Sequence, residues 1–289
     1  MPTVDFHQHL WPEPFIELLS RRDRPPRVRG SVLELAGERE SEIDLGAHDL
    51  DVRLALLDRW ELDVAVLSLQ PTLGIAALPE DEGSDLMAAY HRGILELVAA
   101  SKGRLVALAA GSDLTGLVGA CVGARELLDL DLLAPRLDEL VRQDKVLFVH
   151  PGQATGAPAG APAWWAAVVD YTAQMQAGYA AWISTGAARW PSLDVVFAML
   201  AGGAPFQLER LRSRGVSGRD VLQDTIFFEI SSYGNRALEL CLATFGVSQL
   251  VFGTDVPVLE PEPALDAVRG FGDAVTDALC NQNPARLFA

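Results

Sequence analysis

The sequence has only three cysteines, Cys121, Cys241 and Cys280, far apart and with no Cys-x-x-Cys pair. Their scarcity excludes a disulfide framework and a thiolate zinc site and points to buried thiols in a reducing cytoplasm. Basic residues are also short, 23 against 39 acidic ones, for a formal charge of -16. Nucleic acids and anionic membrane surfaces are held by clustered Lys and Arg, so neither is expected as a partner. No apolar run approaches the roughly 18 residues of a membrane span, and the N-terminus lacks the basic-then-apolar pattern of a secretory leader. The expected location is cytoplasmic. No Gly-x-Gly-x-x-Gly follows an early strand, which weakens the doubly wound nucleotide-binding alternative.

What the chain does have is size and pattern: 289 residues, 49% of them hydrophobic, enough for one large α/β barrel or two smaller domains. Short apolar runs bounded by turn residues suit parallel strands covered on both faces. Such runs fall at 2–6, 64–69, 104–110, 117–123, 145–150, 193–200, 225–231 and 249–253. The spacers between them are mostly helical; over 49–60, Leu50, Leu54 and Leu57 form one stripe with Asp and Arg opposite. Eight runs with helical spacers predict a (β/α)8 TIM barrel, distorted, as a single domain over 1–289. One connection, 111–116, is short for a parallel crossover, which needs about a dozen residues. Either the third helix is reduced to a turn or the fourth strand is misplaced. Residues 24–45 are rich in charge and Pro yet partly alternating, and predict a small β-hairpin insertion after the first helix.

The chemistry gathers at strand ends. His7 and His9 are two residues apart where the first run ends, so they share a face. His150 ends the fifth run and Asp255 follows the eighth. In a closed barrel these ends meet at one mouth. Imidazole and carboxylate are ordinary ligands of a single divalent ion, Zn2+ first and Mn2+ second, at roughly 2.0–2.2 Å. The bland alternatives are satisfied core histidines and an Asx-type turn at Asp255. The coincidence of all four at strand ends favours the metal. His48 and His91 lie in or before helices and are expected at the surface. Trp164, after the Gly/Ala/Pro-rich stretch 152–163, either walls a pocket or anchors a long helix over 164–188. Ser231, at the end of the seventh run, is a candidate hydrogen-bond donor.

Four stretches carry a resemblance: Asp5-Phe6-His7-Gln8-His9-Leu10, Leu147-Phe148-Val149-His150-Pro151-Gly152, Gly202-Gly203-Ala204-Pro205-Phe206 and Phe252-Gly253-Thr254-Asp255-Val256-Pro257. With them the chain resembles the amidohydrolase superfamily, in the amidohydrolase-related branch that includes aminocarboxymuconate-semialdehyde decarboxylases. The resemblance runs nearly end to end. It implies a distorted barrel, often dimeric, with one divalent metal at His7, His9, His150 and Asp255. It also implies substrate contact by Arg210, where related decarboxylases use an arginine to grip a carboxylate; an exposed helix face remains the alternative there. The chain departs from the pattern at one place. A histidine that ends the sixth strand in the family, polarising substrate or moving a proton, is Met199 here. A thioether has no proton to give, so Met199 is expected as a pocket-lining residue.

These observations predict a metal-dependent hydrolase of a small carboxylated amide, ester or lactone, with Asp255 as ligand and proton acceptor. Non-oxidative decarboxylation of a small unsaturated or aromatic acid is the alternative, favoured by the resemblance and weakened by Met199. A relative impaired in catalysis that still binds metal or ligand is the third.

Overall fold

The computed structural model describes residues 1–217 and 221–288. Eight strands follow one another in a parallel sheet: β1 (Val4–Gln8), β5 (Val64–Leu67), β6 (Leu105–Ala109), β7 (Gly119–Gly123), β8 (Val146–His150), β9 (Val195–Phe197), β10 (Ile226–Glu229) and β11 (Leu250–Val251). The last strand returns to the first. Phe6 N–H donates to Phe252 O (2.8 Å) and His9 N–H to Val256 O (2.7 Å), so the sheet closes into a (β/α)8 barrel. Its strands read as continuous apolar runs because both faces are covered: Phe6, Phe148, Phe197, Phe227, Phe228 and Phe252 are fully buried.

The weak connection is explained by the first of its two alternatives. Between β6 and β7 no helix forms, and Val118 N–H goes directly to Ala107 O (3.0 Å), so the fourth strand stands and the third helix is reduced to a turn. The region after the helix Glu13–Arg21 forms a separate antiparallel sheet of β2 (Arg27–Arg29), β3 (Val32–Glu34) and β4 (Ser41–Glu42), one strand more than a hairpin. The long helix expected over 164–188 contains π-helical turns at Ala166–Asp170 and Trp182–Gly186, either side of Tyr171–Ala181. Among the described residues no helix is long and apolar enough to cross a membrane.

Candidate metal centre

The carboxyl ends of the strands deliver four donor side chains to one point. His7 and His9 project from the end of β1, His150 is the last residue of β8, and Asp255 follows β11. Asp255 adopts φ +63, a left-handed conformation, and its N–H donates to His7 O (2.8 Å). His7 Nε2 lies 3.2 Å from His9 Nε2 and 3.5 Å from Asp255 Oδ1, and His9 Nε2 lies 3.0 Å from the same oxygen. Donors about 2.1 Å from one ion are roughly 3.0–3.4 Å apart when adjacent, so these separations suit a shared cation. With His150 included, the four donor atoms lie within 4.8 Å of one another.

The hydrogen bonds on the far side of each ring make the case stronger. His9 Nδ1 faces Ser68 O (2.9 Å) and His150 Nδ1 faces Pro151 O (2.9 Å), and a carbonyl can only accept. Both Nδ1 atoms therefore carry hydrogen, and both Nε2 atoms present lone pairs. His7 Nδ1 donates to Glu229 Oε2 (2.9 Å), which leaves its Nε2 pointing at the same space. Three ring nitrogens and a carboxylate oxygen facing each other in a buried setting call for a cation among them. The donor set, three imidazoles and one carboxylate, fits a divalent ion.

Electrostatics divide the three rings. Burial, reinforced by the neighbouring histidines, pushes the His150 imidazole well down, and burial likewise lowers His9 against the pull of the Asp255 carboxylate, which favours the charged ring. Burial also acts against the His7 imidazolium, but the charges of Glu229 and Asp255 outweigh it and lift His7 to about 9. For Asp255, burial favours the neutral acid, yet the three histidines outweigh it and hold the carboxyl below its ordinary range. Because the folded value of His7 exceeds its ordinary 6.5, its charge stabilises the metal-free fold below that pH and ceases to do so as pH rises through about 9. A metal ion must displace that proton. Mn2+ affinity is therefore expected to rise about tenfold per pH unit between roughly pH 7 and 9 and then level off. Competition with a metal indicator across that range measures it, and a flat profile would contradict the assignment of His7.

Two buried carboxylates hold the ligands in place, and neither stands out in the sequence. Glu229, at the end of β10, accepts from His7 Nδ1, from Ser231 Oγ (2.9 Å) and from the Ser231 N–H. It reaches His7 only because residue 253 is glycine: a Cβ there would overlap Glu229 Oε1 and sit 2.7 Å from His7 Cβ. Asp5 ties β1 to the segment carrying Asp255. Its oxygens accept from His7 N–H (3.1 Å), Thr254 N–H (3.1 Å), Thr254 Oγ1 (2.6 Å) and Gln8 Nε2 (2.6 Å). Burial lifts the Asp5 carboxyl to about 6, against the hydrogen bonds from Gln8 and Thr254 that favour its charged form. Arg53 completes this brace, donating to Gln8 Oε1 (2.8 Å) and His9 O (3.0 Å). It belongs to the helix Leu50–Trp60, whose Asp and Arg residues were expected on the outer face; Arg53 instead turns inward and is fully buried.

The remaining candidates fall in different places. Met199 is half-buried, and its N–H approaches Glu229 Oε2 (3.4 Å). It begins a run of five left-handed residues, Met199 to Gly203, with φ of +53, +50, +50, +64 and +88. Such a turn costs about 1–2 kcal/mol per non-glycine residue; Gln176 Nε2 helps to hold it, donating to Gly202 O (2.6 Å). Ser231 is buried behind His7, its hydroxyl committed to Glu229. Arg210 is exposed on the helix that follows the left-handed turn, and Trp164 is 55% exposed, stacked on Trp165; the structure does not bring these two to the cluster. His48, expected at the surface, is buried and stacks 4.7 Å from Trp11, whose N–H donates to its Nδ1 (3.0 Å). His91 is half-buried and accepts from Ala110 N–H (3.1 Å). Tyr171 donates to Glu38 of the inserted sheet's turn. Burial first, then Glu38, Asp170 and Asp255, raise its phenol far above the usual range, so it stays a neutral hydroxyl.

A cavity of about 450 Å³ opens beside the cluster, between the ends of β5, β6, β7 and β8.

No family model matches the chain. A curated relative from Dictyostelium discoideum, 2-amino-3-carboxymuconate-6-semialdehyde decarboxylase, is 24% identical, covering 97% of this chain and 89% of that protein. Among solved structures, IDCase of Metarhizium anisopliae superimposes with a TM-score of 0.81 at 20% identity, over 99% of this chain and 97% of that one. A 5-carboxyvanillate decarboxylase from Novosphingobium aromaticivorans, solved with bound manganese, gives 0.75 at 16% identity, over 99% and 97%. These findings agree with the resemblance drawn from the motif stretches. They overturn the expectation of a hydrolase of a small carboxylated amide, ester or lactone, because relatives spanning nearly the whole chain are named decarboxylases. The physical reason is that a metal ion beside a carboxylate serves either reaction, so neither the donor set nor Met199 distinguishes hydrolysis from decarboxylation.

Proposed function

We propose that the protein is a divalent-metal-dependent, non-oxidative decarboxylase of a small unsaturated or aromatic acid. The observation that carries this reading is the convergence of His7, His9, His150 and Asp255 at the barrel mouth, each ring held by its Nδ1 so that Nε2 faces inward. His7, His9, His150 and Asp255 would hold the divalent ion, which would supply Lewis acidity at the barrel mouth. The donor set suits Zn2+, and Mn2+ is the second candidate, as manganese is present in the related 5-carboxyvanillate decarboxylase.

The rest of the task falls to the chain. When carbon dioxide leaves, its bonding pair stays on the substrate carbon, and that carbon must receive a proton. Asp255 is the group placed to carry it: its side chain is 17% exposed at the mouth, whereas His7 and His9 are sealed below. Met199 carries no proton to give. Asp5, Glu229 and Arg53 keep the donors aligned when substrate arrives.

The test is direct. Protein loaded with Mn2+ or Zn2+ is incubated with 5-carboxyvanillate, with 2-amino-3-carboxymuconate-6-semialdehyde and with a panel of monocyclic mono- and diacids. Metal-dependent release of carbon dioxide, with a product lighter by that mass and abolished by chelation, is expected. Absence of release from every acid with either metal sinks the proposal.

A further inference from the structure

We infer that the cavity beside His150 is the subsite for the body of the substrate and that Arg125 binds an anionic group at its far end, so that the preferred substrate is a diacid. The inference rests on the decarboxylase reading and adds a specificity residue to it.

None of the four donors lines the cavity, but residues next to two of them do. Ser68 O holds His9, and the next residues, Leu69 and Gln70, line the cavity wall. Gly123 is the sheet partner of His150 and also lines it. On this inference a substrate whose carboxylate lies among the four donors extends past these neighbouring residues into the cavity. About 450 Å³ is ample for a monocyclic acid. The floor includes Ile75, Met87 and Cys121, the last a neutral thiol because burial lifts it to about 12. Such a lining suits a flat apolar body.

Two charged residues line the cavity, and only one of them, Arg125, is a cation. Glu126 has its Oε1 committed to the Gly123 N–H (2.6 Å). Arg125 makes no hydrogen bond among the described residues; its ion contact is a loose one to Asp170 Oδ1 at 3.7 Å. Asp170 is itself engaged by Thr155 N–H (2.7 Å), Thr155 Oγ1 (3.0 Å) and Gln174 Nε2 (3.3 Å). The guanidinium fork of Arg125 is thus unspent, half-exposed at the cavity's edge and shaped for a carboxylate. Gln70 adds a second donor. Its Oε1 accepts from Trp11 Nε1 (2.8 Å), which fixes the amide so that its NH2 is the end left without a partner. Arg125 and the Gln70 amide thus offer two free donors at this cavity, beside the Glu126 carboxylate with one oxygen committed, in a chain whose formal charge of -16 otherwise repels anions.

Mn2+-loaded protein titrated by calorimetry with benzoate, isophthalate, terephthalate and (4-carboxyphenyl)acetate tests the inference, because the three diacids place the second carboxylate at different separations. At least one diacid is expected to bind about tenfold or more tightly than benzoate. Arg125→Met should remove that advantage and leave benzoate binding unchanged, and Arg125→Lys should keep part of it. No preference for any diacid, or a preference that survives in Arg125→Met, overturns the inference. The readout is equilibrium binding, so a failed decarboxylase reading appears separately, as diacid preference without carbon dioxide release from any acid.

Discussion

Asp255→Asn is expected to lower the rate of carbon dioxide release by about 10²–10⁴-fold while leaving the protein folded. Asparagine is the informative replacement because residue 255 has φ +63, a conformation that Asn tolerates and most residues do not. The turn, and the N–H bond from residue 255 to His7 O (2.8 Å), therefore survive the change. What disappears is the negative charge 3.0 Å from His9 Nε2 and the proposed proton carrier. The loss should persist at saturating metal, since restoring the ion does not restore a proton carrier. Thermal unfolding monitored alongside the rate separates chemistry from stability. A variant that melts like its parent and retains activity within about threefold would remove Asp255 from the mechanism.

Glu229 should behave differently, and the contrast is useful. It touches no substrate; it orients His7 through the Nδ1 bond of 2.9 Å and is a positioning residue. Removing such a partner typically weakens metal binding by about 10–100-fold. Glu229→Gln keeps the size and loses the charge. Burial would then act on the His7 imidazolium with one of its two main opposing charges gone, so the His7 value should fall from about 9. The pH range over which metal uptake rises should shift down with it. Excess Mn2+ should recover most of the rate, as it does not for Asp255→Asn. Glu229→Ala also leaves the buried Ser231 hydroxyl and the His7 Nδ1–H without their acceptor, so a further loss of stability of about 1–3 kcal/mol is expected. Metal affinity measured by indicator competition and the His7 titration followed by NMR are the readouts. Unchanged affinity and an unchanged His7 value would reduce Glu229 to packing.

The structure also changes the meaning of Met199. In the sequence it is a missing histidine, a deficit of one proton-bearing group. In the fold it opens five left-handed residues and brings its backbone N–H near Glu229 (3.4 Å). Around the mouth, the hydroxyl of Tyr171 on Glu38 is a proton-bearing group that does not depend on residue 199.

The sequence by itself determined the barrel and the four candidate metal donors. The eight apolar runs are local signals, and strand ends place His7, His9, His150 and Asp255 at one mouth once the sheet closes. Alternation along β1 is enough to put His7 and His9 on one face. The tertiary structure alone decided what surrounds them. Glu229 lies 222 residues from His7, and a glutamate ending a strand has the same local pattern whether it meets solvent or an imidazole. Arg53 occupies a helix position that would suit an outer face, yet it turns inward because Gln8 Oε1 and the His9 carbonyl lie there to receive it. Arg125 reads as an ordinary surface cation until the cavity beside it is seen. Periodicity reports which face of an element is apolar; it does not report which charges meet across the barrel, because those pairings arise only when distant strands close.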